Sequence, residues 1–450
     1  MTTTTQPAPE VAPAMGIRDV LRFPAMYRLW VAQDISDIGD AFTSLGLLLV
    51  VNQLTGSTTA LALMAVVLAV PGVVFGVFAG AWVDRLDRRR VMIASDLVRA
   101  VLVLGFVVAA RADRLWLLYL LAFGQATVGT FFTPARTALM PHLVPRSGLL
   151  AANSLMQATR LVAGVLGAAG VGVLVSAAGV TWPAFVLDSG SFLCSAVLVT
   201  GIAAAAGRVT HTSGTDGAPA TVGSSALRAA RPSILAASLE GIHIVAASRM
   251  LVATFIGIGV VMLGLGAVNV LFVPLLINEL QVPPAWFGAI ELAQASSMIL
   301  SALLVARLFS RWSPQSIVSI GLAGLAVPIC LLAGVSQVWQ VVVLLFAVGW
   351  LVTPIQAGVT TIVQTATEDA TRGRVAALLG TVTGTANIVS MAFGGMAAAV
   401  IGVGSVFLLS GLLVAAAAAL VMLLYRDSAT ESRADRTAAV GAARLPVEGR

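Results

Sequence analysis

The chain has 450 residues, of which 58% are hydrophobic and only 10% are charged, and this composition excludes an ordinary soluble protein. Its net charge of +6 comes from arginine alone, and the arginines lie in short segments between apolar runs, which favours loop charge at a membrane over binding of nucleic acid. The absence of lysine also excludes a P-loop ATPase and Schiff-base chemistry.

The chain begins with a polar, proline-containing stretch, residues 1–15, which predicts a disordered tail and not a cleaved signal peptide. Gly16–Arg28 mixes arginines with apolar residues, as in an interfacial lead-in. Twelve apolar segments follow, each long enough to cross about 30 Å of hydrocarbon as a helix. They are Leu29–Leu54, Thr59–Val83, Val91–Ala110, Leu115–Leu139, Leu149–Ala177, Thr181–Ala206, Leu251–Leu280, Pro284–Leu308, Pro314–Val335, Val338–Thr365, Val375–Val403 and Ser405–Tyr425.

The longest connection, Gly207–Arg249, divides the twelve segments into six and six. Its first part is small and polar, typical of a flexible linker, and its second part, SILAASLEGIHIVAAS, is helix-like. We therefore expect an all-α membrane protein with a six-helix half at 16–206, a cytoplasmic linker at 207–249, a second six-helix half at 250–425 and a cytoplasmic tail at 426–450.

Charge asymmetry predicts the orientation of the helices. Placing both termini in the cytoplasm leaves only Arg111 and Arg114 on outer loops, with Arg99 and Arg160 inside spans and the other arginines facing the cytoplasm. The expected location is the cell (plasma) membrane, with both ends inside.

A weak internal repeat supports the division into halves. Thr133-Pro134 recurs as Thr353-Pro354 after 220 residues, and the spacing of Gly80, Asp84 and Arg85 has a degraded counterpart from Ala306 after 226 residues.

The loop after the second span carries the most specific motif, GAWVDRLDRRR, which contains Gly80, Asp84, Arg85, Arg88 and Arg89. An ordinary basic inside loop accounts for the arginines but not for the glycine or the first aspartate. The motif resembles the G-x-x-x-D-R-x-x-R-R signature of the major facilitator superfamily. The resemblance implies twelve helices in two parallel repeats, and a loop that locks the cytoplasmic side in one state of the transport cycle.

Further segments are similar to the drug:proton antiporter branch that holds macrolide efflux proteins and the enterobactin exporter. They are SDIGD from Ser36, SDLVR from Ser95, PARTALMPHLVP from Pro134, LLAANS from Leu149, LDS from Leu187 and RGRV from Arg372. One departure is Ala168, which stands where drug antiporters commonly have a proline in the fifth helix. The glycines around it predict tight packing across the two halves.

Ionisable residues inside the spans are candidates for function, because charge at membrane depth usually faces a cavity or a partner. As proton-coupling residues we single out Asp40, near mid-bilayer depth, Asp37 on the same helix face, Arg160 and Glu291. Asp96 and Arg99, three residues apart, predict a structural ion pair. An Arg160–Asp188 pair is an alternative to a coupling role for Arg160.

The spans are mostly alanine, valine, leucine and glycine, so the substrate cavity is expected to be apolar with few polar groups. Its candidate polar residues, for each of which ordinary helix packing is the alternative, are Gln33, Asn269, Gln294, Trp350 and Gln356. The histidines and cysteines are scattered without metal-ligand spacing, so neither a metal site nor a cofactor is expected.

Together these features predict a non-enzymatic, proton-coupled exporter of small amphipathic organic compounds, such as macrolide drugs, that works by alternating access. Its expected partners are the small-molecule substrate, protons and the lipid bilayer, without nucleic acid, and a monomer is favoured. The alternatives are an exporter of one natural product or siderophore, a nutrient importer, and a transporter-like receptor that moves nothing.

Overall fold

The computed structural model of the chain describes residues 15–83, 85–202, 234–309 and 311–442. The predicted tail up to residue 14, Asp84 of the loop motif and the polar part of the linker lie outside the described residues. Within these ranges the chain is helical and has no β-strand.

Fourteen α-helices follow one another along the described chain. They are α1 (Ile17–Val20), α2 (Pro24–Thr55), α3 (Thr58–Val83), α4 (Arg88–Arg111), α5 (Leu115–Leu139), α6 (Leu149–Ala178), α7 (Trp182–Thr200), α8 (Ile234–Ala247), α9 (Arg249–Pro274), α10 (Trp286–Leu308), α11 (Pro314–Leu331), α12 (Val338–Ala366), α13 (Asp369–Ile401) and α14 (Val403–Ala442). A π-helical turn, Leu275–Glu279, continues α9.

Eleven described segments, in α3–α7 and α9–α14, are long and apolar enough to cross a membrane. The twelfth span is α2, which has 32 residues but carries Asp34, Asp37 and Asp40. The prediction of an all-α membrane protein with twelve transmembrane helices is confirmed. The helix-like second part of the linker is α8, also as predicted, whereas α14 continues well past the predicted end of its span at Tyr425.

The first of two compact units comprises Met1–Val50, Val70–Thr212 and Pro283–Glu291. Its core forms where α4 packs against α5 and α7. Phe106 of α4 and Phe185 of α7 are fully buried there, with ring centroids 5.4 Å apart. This packing fixes the positions of the polar side chains on α4 and α7 that are described below.

The second unit comprises Val51–Ala69, Ser213–Val282 and Leu292–Arg450. In it α9 packs against α13 and α14, and α11 packs against α12 and α14. Thr254 of α9 and Tyr425 of α14 join their hydroxyl groups at 2.8 Å. Large apolar side chains such as Leu303 and Val400 stay exposed on helices of this unit, as expected where lipid, not water, covers the surface.

Candidate functional site

The centre of the site is a single guanidinium group, that of Arg99 on α4, which holds two carboxylates. Arg99 donates from Nη2 to Oδ1 of Asp96 at 2.6 Å and from Nη1 to Oδ2 of Asp40 at 3.3 Å. The predicted Asp96–Arg99 pair is therefore confirmed. The sequence did not show that the same arginine reaches Asp40 on α2, since that contact depends on how α2 packs against α4.

Arg99 is held rigidly in this position. Its guanidinium carbon lies 4.7 Å from the ring centroid of Phe132 and 4.1 Å from that of Phe192, so the cation sits against two aromatic rings. Asp96 is fully buried and accepts a second hydrogen bond from Ser195 at 2.7 Å. Asp40 differs, because 37% of its side chain is exposed. Asp96 is thus buried and held by two hydrogen bonds, whereas Asp40 is accessible.

A third carboxylate, Asp188 of α7, lies close enough to Asp40 and Arg99 to interact with both electrostatically. It is fully buried and accepts hydrogen bonds from Thr43 and, at 3.1 Å, from Ser191. The alternative of an Arg160–Asp188 ion pair is wrong, because these hydroxyl groups take its place. Three carboxyl groups therefore lie beside the guanidinium of Arg99, and in their fully ionised form they outnumber Arg99 and Arg160, the two described cations within electrostatic range of them.

Gly39 allows α2 and α7 to approach each other at this cluster. A Cβ atom at position 39 would overlap the side chains of Asp188 and Ser191. Thr43, one helical turn further along α2, therefore reaches Asp188 directly. Neither Thr43 nor Ser191 was among the predicted site residues. The one available signal in the sequence was that Gly39 and Thr43 are four residues apart, and so lie on the same face of α2.

A second charged group lies one turn earlier on α2. Asp37 accepts a hydrogen bond from Gln33 at 2.7 Å, and Arg136 and Arg160 are close enough to interact with it electrostatically. Gln33, predicted as a cavity residue, is buried. Arg136, counted among the arginines on the cytoplasmic side, lies half-buried in the last turn of α5. The predicted span Leu115–Leu139 already contained it.

The remaining predicted coupling residues are more exposed. Arg160 is exposed on α6 and also lies within electrostatic range of Asp40. Glu291 is exposed on α10 and forms no ion pair with any basic residue that the structure describes.

The second unit contains a cavity of about 610 Å³ between α9, α11, α12 and α13. Most of its wall is aliphatic. Its polar lining residues are Gln356, Thr360, Gln364, Arg372 and Thr383, and none of the lining residues that the structure describes is acidic. Gln356, one of the predicted substrate-cavity residues, thus lines this cavity.

Three predicted cavity residues lie outside this lining. Asn269 is exposed on α9. The carbonyl groups of Gln294 and Trp350 accept hydrogen bonds from Ser297 at 2.8 Å and Ser301 at 2.7 Å, respectively. Both residues thus sit where α10 packs against α12, and a Cβ atom at Gly349 would meet the backbone of Gln294.

The arginines of the loop motif bind helix ends. Arg88 donates to the carbonyl oxygen of Ala138 at 3.0 Å, and Arg89 donates to those of Val199, at 3.1 Å, and Thr200. Cations at the carboxyl ends of helices neutralise the exposed carbonyl groups. Arg85, by contrast, is exposed, and Gly80 has open space around it. Asp84 lies outside the described residues.

The glycine face of α6 packs mainly inside its own half. Cβ atoms at Gly167 and Gly170 would overlap Ala41 and Phe42 of α2. The expectation of packing across the two halves thus fails for Gly167 and Gly170, whereas Ala169 of the same face lies where a Cβ atom at Gly288 of the other half would be. A Cβ atom at Gly172, one turn further, would instead meet the backbone of Pro284, at the start of the eighth span.

The family of this chain is shown by its sequence. The sequence profile of the Major Facilitator Superfamily matches residues 29–253 and again 254–447, one match for each half. The chain belongs to the Major Facilitator Superfamily. It is therefore a membrane transporter of small molecules, from a family that is not enzymatic, and its fold has two six-helix halves.

The superfamily relatives include efflux proteins. Macrolide efflux protein A of Streptococcus pyogenes is 25% identical over 394 residues, which cover 86% of this chain and 93% of that protein. The putative bacilysin exporter BacE of Bacillus subtilis is 33% identical over 110 residues, 24% of this chain and 27% of that protein. Both of these relatives are named for export.

Solved superfamily structures share the fold. The nucleoside transporter NupG is 12% identical with a TM-score of 0.69, over 89% of this chain and 99% of that chain. A bacterial homologue of the iron transporter ferroportin is 16% identical with a TM-score of 0.67, over 90% and 98%.

Proposed function

We propose that this superfamily member is a proton-coupled exporter of small amphipathic organic compounds, with macrolides as the first class to test. The similarity to macrolide efflux protein A over 93% of that protein supports the substrate class. The observation that carries proton coupling is the sharing of Arg99 between Asp40 and Asp96, with Asp188 beside them.

The charge balance of this cluster favours uptake of a proton. With three carboxyl groups beside Arg99, and with Arg160 also in range of Asp40, one added proton removes the excess negative charge from a poorly solvated site. Asp40 is the member that exchanges the proton, because it is partly exposed and its bond to Arg99, at 3.3 Å, is longer than the 2.6 Å bond of the buried Asp96.

Protonation of Asp40 would also change packing. Neutral Asp40 loses its ion pair with Arg99, which stays bound to Asp96 and to the two aromatic rings. The link between α2 and α4 is then weakened, whereas α4 and α7 stay together. Loading and release of the proton thus bias the position of α2, which is the kind of two-state element that alternating access requires.

The cavity in the second unit is the proposed substrate site. Its aliphatic wall suits the apolar part of an amphipathic compound, and Gln356, Thr360 and Thr383 offer uncharged hydrogen-bonding groups. The described lining residues include no carboxylate, so none of them forms an ion pair with a cationic substrate. The acidic residues of the first unit are therefore assigned to protons rather than to substrate charge.

The test uses proteoliposomes with radiolabelled erythromycin as the probe macrolide. Asp40→Asn is expected to abolish accumulation driven by a proton gradient and to spare downhill exchange, whereas Asp113→Asn, an exposed loop residue at positive φ, stays active. Concentrative transport by Asp40→Asn with unchanged pH dependence would refute the assignment and leave Asp37 or Glu291 as candidates. If no macrolide, siderophore or nutrient moves in either direction, the receptor alternative holds.

A further inference from the structure

Two asparagines form a reciprocal amide pair in the second unit. Asn52, near the end of α2, donates to Oδ1 of Asn278 at 2.8 Å, and Asn278 donates back to Oδ1 of Asn52 at 3.1 Å. The two residues are 226 positions apart, the same offset that relates the Gly80 motif to its counterpart from Ala306.

The sequence around the two asparagines repeats at this offset as well. Leu49–Leu54 reads LVVNQL, and Leu275–Leu280 reads LLINEL, so Asn52 and Asn278 occupy equivalent positions of the two halves. In a parallel repeat, a residue that pairs with its own equivalent lies on the pseudo-twofold axis that relates the halves. The pair is therefore a symmetric contact, and Asn278 belongs to the π-helical turn, an irregularity common at functional sites.

Two close helix–helix contacts are related by the same offset of 226 residues. In the second unit, a Cβ atom at Gly395 of α13 would overlap Ala62 of α3, and Thr58 of α3 donates to the carbonyl oxygen of Gly395 at 2.9 Å. In the first unit, a Cβ atom at Gly288 would overlap Ala169. The offset of 226 converts one contact into the other, because it relates Ala62 to Gly288 and Ala169 to Gly395.

We propose that the Asn52–Asn278 pair, supported by the Ala62–Gly395 contact, is a latch that holds the two halves together at the end of the bundle where α2 ends and that opens in each transport cycle. This inference rests on the chain being an alternating-access transporter, not on its substrate or its coupling ion. Two neutral amides suit a latch, because each bond adds only a modest net stability that ligand binding can outweigh. A buried charged pair would leave uncompensated ions on opening.

The first test measures opening without any substrate. In a chain with Cys194→Ala and Cys330→Ala, Leu61→Cys places a single thiol at a fully buried position beside the latch. Removing the amides by Asn52→Ala and Asn278→Ala is expected to raise the rate of maleimide labelling of this thiol about tenfold. The matched control, Gln53→Ala with Glu279→Ala, changes the next equivalent pair along the helices and should leave the rate unchanged. An unchanged rate in the asparagine variant overturns the proposal.

The second test closes the latch covalently. Asn52→Cys with Asn278→Cys, in the same cysteine-free chain, should be cross-linked by a short bis-methanethiosulfonate reagent and lose erythromycin transport until a reductant is added. Gln53→Cys with Glu279→Cys should neither cross-link nor lose transport, since a shift of one residue turns each side chain by about 100° around its helix. Full transport by the cross-linked pair would show that this contact stays closed throughout the cycle, and it would refute the latch. If the unmodified chain does not move erythromycin, the substrate proposal fails, and the labelling test still decides the latch.

Discussion

Asp40 on α2 and Asp96 on α4 bind the same guanidinium group through different nitrogens of Arg99, at 3.3 Å and 2.6 Å. The shorter bond lies within one helix and is buried, and the longer bond joins two helices and is partly exposed. A change of charge on Asp40 therefore alters a contact between helices without disturbing the contact within α4.

Arg99→Leu should destabilise the protein strongly. The change leaves Asp96 buried with only Ser195 as a partner, and breaking a buried ion pair on one side typically costs about 3–5 kcal/mol. We expect a lower midpoint of thermal unfolding in detergent and a smaller monodisperse fraction. Arg99→Leu with Asp96→Leu should recover much of the loss, because no unpaired charge then remains. No recovery in the double variant would show that the aromatic contacts of Arg99, not its ion pair, hold the helix in place.

Arg89→Ala should lower stability more than Arg85→Ala. Arg89 binds the last carbonyl groups of α7 with two hydrogen bonds, and bonds from a charged group contribute about 1.5–3 kcal/mol each before solvent screening reduces them. Arg85 is exposed and serves as the matched control. Thermal unfolding of both variants measures the difference. Equal unfolding midpoints of the two variants would show that the bonds of Arg89 to α7 do not stabilise the fold.

Asp84→Asn is expected to leave the protein inserted and to cut transport severely, because a carboxylate at the membrane boundary would lose its charge. Insertion is measured by the amount of protein in the membrane fraction, and transport by erythromycin uptake into proteoliposomes. Asp87→Asn is the control, since Asp87 caps α4 through the backbone amide of Arg90 and asparagine is an equally good cap. Full transport by Asp84→Asn would contradict a special role for this position.

Reporter fusions should place both termini, the Asp84–Arg90 loop and the Gly207–Arg249 linker in the cytoplasm. The reason is the arginine distribution, which leaves only Arg111 and Arg114 on the opposite side. Each segment is fused in turn to a reporter that is active only in the cytoplasm and to one that is active only outside. The two signals give independent measurements of the side that the segment faces. An external signal from any of these segments would overturn the proposed orientation.

The fold was predictable from the sequence, because apolar length and loop arginines encode transmembrane helices directly. The Asp96–Arg99 pair was predictable for the same kind of reason, since a spacing of three residues puts both side chains on one helix face. The partners of Asp40 and Asp188 were not predictable. They depend on which faces of α2, α4 and α7 meet, and on a glycine, Gly39, whose importance appears only once the helices are packed.

Gly39→Ala should disturb the charged cluster without changing any charge. The added methyl group would overlap Asp188 and Ser191, so α2 must move away from α7, and the hydrogen bond between Thr43 and Asp188 must lengthen or break. Overpacking of this kind typically costs about 1–3 kcal/mol. Gly190→Ala on α7 is the matched control, because a Cβ atom there meets no other residue. We expect Gly39→Ala to unfold at a lower temperature than Gly190→Ala and to lose gradient-driven uptake of erythromycin more than downhill exchange. If the two variants behave alike, the close approach of α2 and α7 is not needed for coupling, and the role assigned to Asp188 beside Asp40 is wrong.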